Sequence, residues 1–216
     1  MPETIKKFGL LRGLSEIYID EITDTAEAYT PAGKTQQLIP AGELKITKSV
    51  DKTSVYYDNA MFAEVAKENP SEMEIVGAAI RAAFNAWLEG KKVDETTGAI
   101  LDDGAVHEKY FAISGKKDYT DGTSEYFWFL KCSYGGAEES TKTEDDSTDA
   151  AGMTLPFTCY KTQHKFNALN SGAKVVRIDT ATTKLKADAK WTAQVVTPDN
   201  IGEFVEKATT SGTTTE

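Results

Sequence analysis

Cysteine and histidine are both scarce in this chain, two of each in 216 residues. That scarcity removes most routes to metal-centred and acid–base chemistry. His107 and His164 have no second ligand type at metal-binding spacing, and a lone histidine in a strand-like run reads as structural. Cys132 and Cys159 lie in apolar, strand-like runs and form no C-x-x-C, so buried reduced thiols are expected. No G-x-S-x-G, phosphate-binding glycine loop or H-E-x-x-H occurs. No enzyme is readable in these residues, and no cofactor or metal is expected.

Long apolar runs are also missing. No eighteen consecutive apolar residues occur, so no membrane-spanning helix is expected. The opening MPETIKKFGLLRGL has two lysines but neither an apolar core segment nor a small-residue cleavage site, so no signal peptide is expected. Basic residues are outnumbered, 24 Lys and Arg against 34 Asp and Glu, for a formal charge of −10. Such a chain does not bind nucleic acid by neutralising phosphates.

What is present is strand, turn and one helical pattern. Pro70–Gly90 begins with a polar turn, and Met73, Ile75 and Gly77 then alternate with Glu72, Glu74 and Val76, as in a short strand. From there Val76, Ala79, Ile80, Ala83, Phe84, Trp87 and Leu88 recur at helical steps. Five alanines favour helix and Gly90 stops it. Ile80, Phe84, Trp87 and Leu88 are therefore the expected core stripe, and a lone amphipathic helix needs a sheet to lie on.

Strand patterns supply that sheet. They fall at Leu14–Ile22, Gln36–Ile39, Glu43–Val50, Val106–Gly115, Thr123–Tyr134, Met153–Tyr160, Lys174–Ile178 and Lys190–Val196. The run SEYFWFLKCSY is apolar on both faces, which implies a central strand or one whose outer face meets a partner. An aromatic cluster at Tyr126, Phe127, Trp128 and Phe129 could stack bases or sugars, but in so acidic a chain core and interface are expected. Pro156 hints at an edge. Thr197-Pro198-Asp199 reads as a helix start.

Three segments fit neither period. Residues 51–70 carry Val55, Tyr56, Tyr57, Met61, Phe62 and Val65 without sustained alternation. They read as a protruding loop or hairpin that packs on another subunit. Lys91–Ala105 is a turn-rich loop. Residues 135–150 hold six acidic residues and one lysine and read as a solvated loop. Within it, Glu144, Asp145 and Asp146 lack the ligand spacing of a calcium loop and are candidate neighbour contacts. Asp102-Asp103-Gly104 and Asp118–Gly122 read as turns. The expected organisation is an arm at 1–13, one antiparallel β-sandwich or barrel domain at 14–208 with one flanking α-helix and long loops, and a disordered tail at 209–216.

The order of these features resembles the major tail protein, or tail tube, family of long-tailed non-contractile phages of Gram-positive hosts. The likeness rests on GLSEIYIDEIT at 13–23, IPAGELKI at 39–46, and the strand running into a helix and Gly90. It also rests on the aromatic strand Tyr126–Lys131 followed by the acidic loop and returning strand to Thr162. It covers about residues 10–163, with departures in the Lys91–Ala105 loop and after Gln163. The resemblance implies a virion protein of the tail, assembled in the host cytoplasm, that forms stacked hexameric rings. Its implied partners are further copies of itself, a tape-measure protein and tail terminator or distal tail proteins, with viral DNA passing through the lumen without specific binding. The acidic charge is consistent with a lumen to which DNA does not adhere. The alternative is a monomeric immunoglobulin-like binding module, although the Cys…Trp…Cys spacing of true immunoglobulin domains is missing.

Overall fold

The doubly apolar run becomes the centre of the structure. The computed structural model describes residues 8–58, 60–94, 96–137 and 152–206, and its strand β11 (Ser124–Tyr134) has neighbours on both sides. Along one side runs β10 (Tyr110–Tyr119), which pairs in turn with the long first strand β1 (Leu11–Asp24). The other side of β11 is shared. Glu125–Phe129 pair with β13 (Val175–Asp179), and Cys132–Tyr134 pair with β12 (Met153–Cys159). Beyond β12 come β7 (Ser71–Gly77) and β4 (Ala41–Thr47), while the short β2 (Tyr29–Pro31) and β3 (Gln36–Gln37) add to β1.

The result is a single nine-stranded sheet, antiparallel at every pairing. It curls until β4 returns beside β1, so the mainly β, barrel-like class expected from the alternation is what forms. Closure is incomplete. A cleft of about 490 Å³ remains between β1 and residues 37–42. Gly77 lies at that closure, where a β-carbon would run into the Pro40 carbonyl.

Alternation along β10 and β11 divides the interior in two. Phe111, Ile113, Phe127, Phe129 and Cys132 join Ile17, Met73, Ile75 and Leu155 on one face. Ala112, Trp128 and Leu130 face the other way, under Val176, Ile178, Trp191 and Phe204 of the C-terminal region. The Trp128 indole N–H donates to the Trp191 carbonyl at 3.0 Å, so burying this large ring leaves no donor unpaired. Lys131 and Asp24 form a buried ion pair at 2.8 Å. Asp24 also accepts the backbone N–H groups of Gln163 and His164, which ties β1 to the C-terminal cover.

Several expectations need correction. The helix α1 spans only Ala82–Leu88, because β7 takes Val76 and Gly77 into pairing with β12 and β4. Ala79 and Ala83 are exposed and Ile80 precedes the helix. The stripe is accordingly shorter, with Leu88 buried and Ile80, Phe84 and Trp87 half-buried against the first core. Strand β10 begins four residues later than the alternation suggests and continues through Lys116–Asp118, leaving a tight turn at Thr120–Gly122. Lys190–Val196 is not a strand: Trp191, Val195 and Val196 are buried from irregular backbone. Thr197 opens only a single 3₁₀ turn, Ile201–Glu203, held by reciprocal hydrogen bonds between Thr197 and Asn200.

Pro156 does not mark an edge, since β12 is paired on both sides. Its carbonyl accepts the Gly135 N–H just past the end of β11. The imino nitrogen points the same way, where the ladder is ending, so the missing donor costs little. Leu11–Gly13 of the expected arm belong to β1. The acidic segment from residue 138 and the C-terminal tail lie outside the described residues.

Candidate functional site

Residues 51–70 form a hairpin, and its two strands are continuous with the pair that ends the sheet. Past the β4–β7 ladder, Asn69 N–H donates to the Ser49 carbonyl at 2.9 Å. The chain then continues as β5 (Val50–Tyr57) and β6 (Ala60–Glu68), paired only with each other among the described residues. Eight residues at about 3.3 Å each make a ribbon reaching roughly 25 Å past the sheet. Nearly every residue of it is exposed.

Cross-strand partners share a face, which sorts the ribbon's side chains. Val55 opposes Ala63 and Thr53 opposes Val65. A bulge between Val55 and Tyr56 shifts the register, and Phe62 meets Tyr57 edge to face, 5.3 Å between ring centres. Val55, Tyr57, Phe62, Ala63 and Val65 thus make one apolar face. The opposite face carries the Lys52–Glu64 ion pair at 2.9 Å, with Val50 at its base and Tyr56 opposing Met61 at the tip. Phe62 is 74% exposed, Tyr56 64% and Tyr57 63%. Large apolar side chains on a ribbon with two open edges are the pattern of a strand surface awaiting a partner.

The ribbon's base is held firmly. Lys174, just before β13, sends its ammonium to Glu68 Oε1 at 2.6 Å, the Asn69 carbonyl at 2.7 Å and Ser71 Oγ at 3.3 Å. The hydrogen bond from Lys174 holds the Glu68 carboxyl below its ordinary value. Nothing in the local pattern of 51–70 points to Lys174; its role needs the fold.

Of the residues singled out in the sequence, the structure brings Val55, Tyr56, Tyr57, Met61 and Phe62 together on the ribbon. Glu144, Asp145 and Asp146 lie outside the described residues. Ile80, Phe84, Trp87 and Leu88 sit apart from the ribbon, at the first core, with Trp87 5.1 Å from Phe111 and beneath Lys109. The Tyr126–Phe129 cluster is core, not a stacking platform: Phe127, Trp128 and Phe129 are wholly buried.

The Lys91–Ala105 loop is a small hairpin of β8 (Lys92–Val93) and β9 (Ile100–Leu101). Asp94 caps its turn, accepting the Thr96 and Thr97 N–H groups. Lys91 bridges Glu89 and Asp102, and His107 pairs with Asp103. These are turn and tether contacts. Among the described residues, no group of three or more His, Cys, Asp or Glu could hold a metal ion.

This geometry defines a β-domain with a projecting apolar ribbon. No known protein family's sequence profile matches the chain, and no curated protein matches it. Among solved structures it is similar to a chain of the PVC sheath–tube complex, an extracellular contractile injection system in the extended state. That match has 11% identity, 74% of this chain and 87% of the other covered, and a TM-score of 0.41. It is also similar to the tube-terminating cap of the anti-feeding prophage, at 9% identity, 82% and 99% coverage and a TM-score of 0.41. A third likeness is to the PVC sheath/tube terminator, at 9% identity, 74% and 92% coverage and a TM-score of 0.37.

Proposed function

We propose that this protein is a structural subunit of a phage-type tail tube, assembling as stacked rings, six copies to a ring by the resemblance in its sequence. The observation that carries the reading is the β5–β6 ribbon. A monomer gains nothing by holding Tyr56, Tyr57, Met61, Phe62 and Val65 in water on a stiff, anchored arm. A second copy seated against that arm removes the apolar surface from water and covers open strand edges, and both are favourable. Repeating a head-to-tail contact of this kind builds a ring or a stack according to its rotation.

A tube subunit needs no reactive side chain. An acidic inner wall would let DNA slide, since no counterion release rewards contact with it. Tape-measure and terminator or distal tail proteins are the partners the reading implies, with the finished tail as the site of residence. Negative-stain microscopy of the purified protein, alone and with a tape-measure protein as nucleator, tests it. Rings or tubes are expected. A protein that stays monomeric at high concentration with and without the nucleator would sink the proposal, and would favour a monomeric binding module instead.

A further inference from the structure

Cys132 and Cys159 are far apart in sequence, yet the register of β11 and β12 sets them directly opposite one another. The Tyr160 N–H donates to the Lys131 carbonyl at 2.7 Å, and the Gly135 N–H to the Pro156 carbonyl at 2.9 Å. Narrow, hydrogen-bonded rungs therefore fall at 131/160, 133/158 and 135/156. The cysteines occupy the non-hydrogen-bonded position between the first two, where α-carbons approach to about 4.5 Å. That lies inside the range of about 4.4–6.8 Å spanned by disulfides. Both side chains enter the first core, and the Cys132 thiol contacts the Cys159 sulfur at 2.9 Å.

We propose that Cys132 and Cys159 are an oxidation site that closes to an intramolecular, cross-strand disulfide within the native fold. With a small disulfide such as oxidised glutathione, one thiolate attacks a glutathione sulfur and expels one glutathione thiolate. The second cysteine thiolate then displaces the other glutathione. One S–S bond forms and one breaks. The two cysteines give up two electrons and two protons, and the oxidant leaves as two thiols.

Access is the slow step. Both residues are wholly buried, and burial, with the neighbouring Cys159, pushes the Cys132 thiol well above its ordinary value. The pair nevertheless sits at the end of a short ladder, where β11 changes partner from β13 to β12. Cys132 is also opposite Phe111 of β10 and Cys159 opposite Ser71 of β7, so the reaction needs a local opening of the β11–β12 ladder rather than of the whole sheet.

The test is to incubate the protein with oxidised glutathione well below its unfolding midpoint, where global unfolding is rare, then unfold it in acid and measure intact mass and free thiols. The expected result is a mass lower by two hydrogens, no free thiol, and a Cys132–Cys159 crosslinked peptide. The unfolding midpoint should rise by roughly 5–10 °C and fall back on reduction. Cys159→Ala should show no such loss of mass. Two thiols still free, a glutathione adduct that persists, a crosslink between two chains, or an unchanged or lower midpoint would each overturn the proposal.

Discussion

Lys174 grips Glu68 across the junction between the sheet and its ribbon, ammonium to carboxylate at 2.6 Å. The same ammonium holds the Asn69 carbonyl and the buried Ser71 hydroxyl, so one side chain sets the direction in which β5 and β6 project. Lys174→Met keeps the aliphatic stem and removes all three contacts. The half-exposed Glu68 partner contributes little by itself. Loss of the other two bonds is expected to cost about 1–2 kcal/mol. Amide exchange should quicken across residues 49–70 while β10 and β11 stay protected. Unchanged exchange at Asn69 would show that the grip is incidental.

The ribbon's tip separates folding from assembly. Tyr57→Ser combined with Phe62→Ser removes two exposed rings that touch mainly each other. The unfolding free energy of the monomer is expected to stay within about 0.5 kcal/mol of the parent. Under the assembly proposed above, sedimentation should show rings or tubes for the parent and none for the variant. Full assembly by the double variant would exclude the ribbon tip as a contact.

Two tryptophans rank the cores. Trp87 packs on Phe84 and Phe111 but stays half-buried, so Trp87→Ala is expected to cost about 2–3 kcal/mol. Trp128 is wholly enclosed and bonds to the Trp191 carbonyl. Trp128→Ala should cost about 4–5 kcal/mol or prevent folding. Chemical denaturation of both variants checks the order; equal losses would mean that α1 is packed as tightly as the sheet.

Acid should reveal the Asp24–Lys131 pair. Burial alone would raise the Asp24 carboxyl. The hydrogen bond from Lys131 and the Gln163 and His164 N–H groups outweigh it and hold the carboxyl below its ordinary 3.8. A carboxyl that is harder to protonate in the fold than in the unfolded chain adds stability above the unfolded value, and that stability is lost as pH falls through the folded value. Asp24→Asn should therefore destabilise by about 3–5 kcal/mol at pH 7. The gap to the parent should narrow below about pH 4. A gap independent of pH would mean that the charge contributes nothing.

How far the residues themselves revealed this depends on what each strand faces. Strand β11 was legible because Phe127–Leu130 leave no polar side, and only a strand enclosed on both faces tolerates that. The ribbon was legible only as an anomaly. Its period is hidden because both faces meet water within the single chain, so Val55 and Tyr56 are apolar neighbours on opposite faces with no core to choose between them. Helix α1 is shorter than its apolar stripe suggests because Val76 fits a strand face as well as a helical stripe, and it pairs with Thr154. Trp191 sits in a run that mimics alternation, yet its backbone is irregular and its carbonyl accepts the Trp128 indole N–H. The opposed cysteines and the grip of Lys174 depend on register, which no local pattern contains.

The pairing of β1 with β10 has a kinetic consequence. Ile22 finds Tyr110, and Leu11 finds Tyr119, so the first strand must wait for partners far downstream before the curled sheet can close. The β4–β7 unit with its ribbon is local and can zip from its own turn. Contacts between distant segments form slowly, so closure of β1 on β10 is expected to follow the local pairing of β5 with β6.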